Sequence, residues 1–326
     1  MPRNGAGVYS LINNTWFPPT NGVLATSTDW NTFIVDIQNA LTQSVSSDGQ
    51  TAFTGNLPMG NNKITGLANG TAATDAAAFG QVVQIVGQCQ LVKSGANLVL
   101  LPYNGNKLFI NGVLCTVPQA GVSLAPGALA AATVYNIYAV ATGTTVTSLE
   151  ASVTARATDV TYGNQIKSGD PTRALVGKAR TTGTTTWSDT DIERSVISWF
   201  NRRPIRIYNS TPGGNITASP TPVGIVAQAF FLCWGDAPVP ASFVGSVSNN
   251  GANNICYSGL GFDTSTAFSH AAVQFQAYAN GANGPATGGS TFIPSEGFHF
   301  IVMLGAVSAG TGTWAANIEF SGVIQG

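Results

Sequence analysis

Asn-Gly pairs stand at 104–105 and 111–112, each flanked by short apolar runs in NLVLLPYNGNKLFINGVLCTVP. The dipeptide supplies two adjacent residues that tolerate positive φ, which is what a tight hairpin loop needs. From about residue 91 the chain is therefore expected to be built of strands. TVYNIYAVATGTTVTSLEASV and TRALVGKARTTGTTTWSD continue the pattern, and the 38 glycines of the 326-residue chain suit many short strands joined by turns.

Beyond residue 204 the alternating runs lengthen. Val273, Phe275 and Ala277 alternate with Gln274 and Gln276, and Trp314, Ala316, Ile318 and Phe320 fall on one face of a final strand. FHFIVMLGAV is apolar on both faces and so needs cover on both sides. A sandwich with one sheet packed into an oligomer axis would provide that cover.

The first ninety residues read differently. Pro2, Pro18 and Pro19 lie in an aperiodic stretch that suits an extended arm. Trp30, Phe33, Ile34, Ile37 and Leu41 then recur at helical spacing behind Ser27 or Thr28. LPM and KIT flank Gly60, Asn61 and Asn62, a composition that bends the chain. Phe79, Val82, Val86 and Cys89 alternate by three, four and three, the spacing of an a/d seam. A helix of about a dozen residues is marginal alone in water, so identical copies are expected to bury the seam against each other. The chain divides into an arm with an amphipathic helix at 1–50, a strand-turn-helix segment at 51–90, a middle β domain at 91–203 and a distal β-sandwich domain at 204–326.

Only 8% of residues are charged, against ~25% in an average soluble protein, and the net charge is -1. Nucleic-acid affinity rests on Lys and Arg neutralising phosphates, so no nucleic-acid partner is expected. The longest apolar stretch, VGIVAQAFFLCW, is broken by Gln228 and is shorter than the ~20 residues of a spanning helix, so no membrane insertion is expected. MPRNGAGVYSLINN lacks the apolar core of a signal peptide, which argues against secretory export. Cys89, Cys115, Cys233 and Cys256 are widely spaced, which suits buried free thiols rather than a metal set.

The search for chemistry yields no catalytic constellation, no metal site and no cofactor site. His270 and His299 lie in strand-like runs. Asp189, Asp191 and Glu193 would share a strand face and could act as paired carboxylates, but Arg194, Arg202 and Arg203 follow closely and favour ion pairing. TPGGN and ATGGST lack the lysine and helix of a phosphate loop.

MPRNGAGVYSL, DIQNALTQSVSSDGQTAFTGNLPMGNNKITGLANGTAATDAA and the following FGQVV resemble the N-terminal part of tailed-bacteriophage tail fibre proteins. GDPTRALVGKARTTGTTTWSDTDIERSVISWFNRRP is similar to a β domain that follows this anchor in some phage tail proteins. The resemblance implies a structural virion protein assembled in the host cytoplasm as a homotrimer. Its arm would dock on phage tail, baseplate or adaptor proteins, with Trp30, Phe33, Ile34, Ile37 and Leu41 as the anchor and the Phe79 to Cys89 seam as the trimer clamp. The expected fold is mainly β, with an arm and short helices followed by sandwich domains. Alternatives are a tailspike-type polysaccharide depolymerase and a purely structural head fibre or baseplate component.

For the distal domain, amide, carboxylate and aromatic groups are those that match sugar hydroxyls and the apolar face of a pyranose ring. Trp234, Asp236, Asn249, Asn250, Asn253, Asn254, Tyr257, Asn280 and Asn283 are accordingly the expected contacts for a host-surface receptor, a glycan or a protein. The same sequence also allows them to be ordinary turn formers.

Overall fold

The computed structural model describes residues 26–42, 60–62, 64–66, 68 and 87–326, apart from Ala128 and Thr184. The chain separates into one unit ending at Leu67 and a second running from Ala68 to Gly326. Phe79, Val82 and Val86 lie outside the described residues.

In the first unit a helix spans Ser27–Thr42. Trp30 donates its backbone N–H to Thr26 O at 3.2 Å, so the cap falls one residue before the expected Ser27 or Thr28. Leu41 lies in this helix; Trp30 and Ile34 on its apolar face are about half exposed, at 50% and 55%. The bend at Gly60 and Asn61 forms as the composition requires, with φ of 55° and 64°.

The second unit is mainly β, in several sheets. Its N-terminal lobe holds a three-stranded sheet, Cys89–Ser94, Asn97–Pro102 and Val122–Leu124, against an eight-stranded sheet whose centre is Val134–Thr142 and Asp170–Arg180. Asn111 and Gly112, at φ of 48° and 78°, close a hairpin between Lys107–Ile110 and Val113–Thr116. The other Asn-Gly pair turns the chain without making a hairpin, because Asn97–Pro102 and Lys107–Ile110 belong to different sheets. Gln88 holds that corner: its Oε1 accepts from the N–H groups of Asn106 at 3.1 Å and Lys107 at 3.2 Å.

Cys89 corrects the helical reading of the seam. It opens the strand Cys89–Ser94, is fully buried, and packs in the lobe core with Leu91, Leu98 and Ile137. All four cysteines are free and buried, and burial pushes the Cys89 thiol up to about 12.

The C-terminal lobe is a jelly roll. Its eight main strands, in chain order, are Pro204–Thr211, Val223–Cys233, Val239–Val244, Ile255–Phe262, Val273–Gln276, Gly288–Phe292, Gly297–Val307 and Ile318–Gln325. Counted along the chain, one sheet runs first, eighth, third, sixth and the other second, seventh, fourth, fifth. That interleaving is the double Greek key of a jelly roll. A further sheet, Asn215–Thr217, Gly312–Trp314, Ser246–Asn249 and Asn283–Pro285, repeats the order of the first across a bend. At the bend Gly245 leaves no room for a side chain, since a Cβ there would lie 2.4 Å from Ile318 Cγ1. The final strand is broken at the same level: Asn317 has φ 64° and Ala316 is exposed rather than sharing the buried face of Trp314, Ile318 and Phe320.

Gly297–Val307 is central in its sheet, and Ile301 through Val307 are all buried. The opposing sheet covers one face. On the other side of the sheet Phe268 lies against Gly259 and Thr264 O against Gly261, both on the neighbouring strand Ile255–Phe262, and Val302, Leu304 and Ala306 are buried. Both apolar faces are thus covered within one chain, and this strand does not call for an oligomer axis.

The boundary expected at 203/204 is crossed by structure. Glu193–Arg194 pairs in parallel with Phe230 and Phe231 in the jelly-roll sheet, and Tyr138, Leu175 and Ile197 belong to the same buried cluster as Phe231, Trp314 and Phe320. Gly326 exchanges backbone hydrogen bonds with Arg203 at 2.9 and 3.1 Å. The jelly-roll core thus extends across the boundary to Tyr138, Leu175 and Ile197, while the N-terminal lobe keeps a second cluster of its own.

Candidate functional site

Jelly-roll topology puts loops at two opposite ends of the sandwich, and the expected receptor residues divide between them. The register pairs Cys233 with Gly297 and Val223 with Gly305, so the loop after Cys233 and the loop after Val307 lie at opposite ends of an 11-residue strand. At ~3.3 Å per residue these ends are roughly 33 Å apart.

Trp234 and Asp236 occupy the end that joins the N-terminal lobe. Trp234 is only 4% exposed, and its Nε1 donates to Ser198 O at 3.0 Å. Its ring meets Trp199 edge-on at 4.9 Å, with Lys178 and Arg202 5.0 and 5.2 Å from its centroid. Asp236 accepts from Arg202 at 2.5 Å. Trp234 is therefore a core residue of the lobe joint, and its ring is not available to stack on a sugar.

Among the described residues no strand of the N-terminal lobe pairs at the opposite end, which carries the loops after Thr211, Asn249, Gln276 and Val307. Three amides build it. Asn249 is buried; its Oδ1 accepts from Gly251 N at 2.9 Å and Asn254 Nδ2 at 3.2 Å, while its Nδ2 donates to Ala309 O at 3.1 Å. Asn250 Oδ1 accepts from Thr311 N at 2.8 Å. Asn253 takes φ 65° and donates its N–H to Ala277 O at 2.6 Å. The turn-former reading describes Asn253 through its positive φ, and the side chains of Asn249, Asn250 and Asn254 are committed to the loops themselves.

What remains outward is a smaller set. Asn253, Asn280 and Asn283 are exposed, and beside them Tyr278 is 80% exposed. Tyr257 is not a loop residue: it lies half buried in a strand, paired with Gln274 and Ala306. Tyr278 is the aromatic that sequence reasoning missed. The signal was present, since the outward series Gln274, Gln276 continues by alternation to Tyr278. TPGGNITASPTP, NNGANN, QAYANGAN and SAGTG, which form this end, contain no Asp, Glu, Lys or Arg. A hydroxyl- and amide-rich surface with one exposed phenol ring suits a neutral polar ligand rather than an ion.

Charged groups lie elsewhere, and several of them are paired. Asp189 faces Arg194 at 3.5 Å, Glu193 faces Arg180 at 3.4 Å, and Asp191 bonds both Arg194 and Arg206. Burial pushes the Asp189 carboxyl up, with Arg194 opposing. His299 sets Nδ1 against Asp263 Oδ2 at 2.7 Å and Nε2 against Ser295 O at 2.9 Å. Both partners are acceptors, so both ring nitrogens donate and the ring is an imidazolium. Hydrogen bonding with Cys233, helped by Asp263 and Ser295 O and opposed by burial, raises its pKa to about 9. A cation locked in this way is structural and is not poised as a base. Among the described residues no group of His, Cys, Asp or Glu forms a metal cluster.

No protein-family model matches the chain, and no curated protein matches it. Among solved structures it is similar to infectious bursal disease virus, Gt strain, at 11% identity and TM-score 0.32, over 73% of this chain and 71% of that one. BuGH86 in complex with neoagarooctaose gives 10% identity and TM-score 0.22, over 74% and 34%. A Bacillus thuringiensis Cry1Da tryptic core variant gives 10% and 0.20, over 72% and 47%. The jelly-roll assignment stands on strand order and register, without these superpositions.

Proposed function

We propose that the chain is a fibre protein of a tailed-bacteriophage virion, anchored through its N-terminal region and binding a neutral host-surface glycan with the free end of its jelly roll. The reading is supported by the motif order of residues 1–90 and, above all, by the uncharged free end on which Tyr278, Asn253, Asn280 and Asn283 stand exposed over loops braced by Asn249, Asn250 and Asn254. An aromatic face with flanking amides matches the two faces of a pyranose, apolar C–H and polar hydroxyl. A site of this kind is weak alone, and assembly as a homotrimer would raise it by factors of roughly a hundred or more where the spacing fits.

The test is retention of the purified full chain on a panel of neutral and acidic bacterial surface polysaccharides. Retention by a neutral member, lost in Tyr278→Ala with an unchanged melting curve, supports the reading. Retention that is indifferent to Tyr278 moves the site elsewhere, and absence of retention by any member favours a purely structural particle component.

A further inference from the structure

The lobe joint contains a cleft of about 680 Å³, lined by Asn136, Arg156, Thr158, Gln165 and Lys178 of the N-terminal lobe and by Glu296 of the jelly roll. Ligand clefts favour such lobe junctions, and this volume falls in their usual range. Its floor is a fixed ionic group. Arg156 donates to Glu296 Oε2 at 2.9 Å and to Gln165 Oε1 at 2.6 Å, and Lys178 donates to the other Glu296 oxygen. Burial raises the Glu296 carboxyl, but the hydrogen bonds from Arg156 and Lys178 outweigh it and hold the group below the ordinary carboxylate range.

Two valences in the cleft are left over. Lys178, only 6% exposed, has three N–H donors; one goes to Glu296, and the face of Trp234 lies 5.0 Å from Nζ, leaving a donor without an acceptor among the described residues. Directly across the strand pair, Asn136 is the register partner of Lys178. Its Nδ2 donates to Thr154 O at 3.1 Å, which fixes the amide, while Oδ1 is buried with no donor among the described residues. A buried acceptor left this way is costly. Arg156 and Lys178 together exceed Glu296 by one positive charge.

We infer that the joint cleft binds a sugar acid, with the carboxylate accepting from Lys178 and a neighbouring hydroxyl donating to Asn136 Oδ1. The apolar walls, Val134, Ala155 and Ala157, suit the C–H edge of the ring. The chemistry is a carboxylate beside a hydroxyl, which a uronic acid unit of a polysaccharide or a free hydroxy acid both carry. The site is separate from the free end, whose uncharged loops suit a neutral ligand.

The experiment is calorimetric titration of the full chain with a galacturonate tetramer, free galacturonate and maltotetraose. Saturable binding of the tetramer that weakens with added salt and falls about tenfold in Asn136→Ala is the expected result, tenfold being the effect of one hydrogen bond. Equal affinity for free galacturonate assigns the cleft to a small hydroxy acid, and tighter binding of the tetramer assigns it to a polysaccharide. No saturation by either acid, equal binding of maltotetraose, or affinity unchanged in Asn136→Ala with its melting curve intact would overturn the inference. Retention on neutral polysaccharide through Tyr278 is read separately and is unaffected by Asn136→Ala.

Discussion

Trp234→Ala separates the lobe joint from the free end. The indole is 4% exposed, packs edge-on against Trp199 at 4.9 Å, lies beside Lys178 and Arg202, and donates to Ser198 O at 3.0 Å. Truncating a buried aromatic to alanine costs about 3–5 kcal/mol. Loss of the cation contacts adds about 0.5–2 kcal/mol, partly overlapping the first figure, so a total of about 4–6 kcal/mol is expected. That is a large share of the 5–15 kcal/mol of a typical domain, and at an m-value of ~3 kcal/mol/M it lowers the urea midpoint by about 1.3–2 M. Tyr278→Ala, at a position 80% exposed, stays within about 0.5 kcal/mol of the parent. Urea unfolding followed by far-ultraviolet circular dichroism reads both. A Trp234→Ala midpoint within 0.3 M of the parent at equal m would refute the placement of this ring in a shared core, using the ~3 kcal/mol/M slope above.

The His299 pair predicts a pH dependence of defined sign. Its folded pKa is raised from 6.5 to about 9, so its contribution is full below about pH 6.5 and is lost as pH rises through about 9. Asp263 is 41% exposed, and with that screening the contribution is about 1–2 kcal/mol. Urea midpoints at pH 6 and pH 10 should differ by more in the parent than in His299→Gln; equal differences would remove the imidazolium from the account. At the sheet bend, Gly245→Ala places a Cβ against Ile318 and costs about 1–3 kcal/mol. The loss should be smaller in an Ile318→Ala background, which removes Cγ1 and Cδ1, and strict additivity in that cycle would show that the contact is not the cause.

Strands were legible wherever local chemistry decides the outcome. Asn111-Gly112 made the hairpin its composition demands, and the outward Gln274 and Gln276 and inward Phe275 follow alternation. Asn104-Gly105 carries the same signal, but the flanking strands enter different sheets, a choice made by tertiary packing. Cys89 satisfied a helical spacing by coincidence, because a three-four pattern over so few residues competes poorly with a strand partner such as Pro102. The site was half legible. Residue type pointed to loop amides and an aromatic, but which loops share an end depends on strand order, which no local pattern encodes. Hence Trp234 was grouped with Asn253 although an 11-residue strand separates their loops. Tyr278 was overlooked because its neighbours in AYANGANG read as a turn.

We propose that a virion carrying this chain meets its host through the free end of the jelly roll. The most direct measurement is competition: purified full chain is added to host cells before the particles, and adsorption is counted. The parent chain should block adsorption in a saturable manner, and Tyr278→Ala with Asn280→Ala, folded to the same urea midpoint, should block it at least about tenfold less well, the equivalent of one lost contact at each copy. A folded double variant that blocks adsorption as well as the parent would contradict the account.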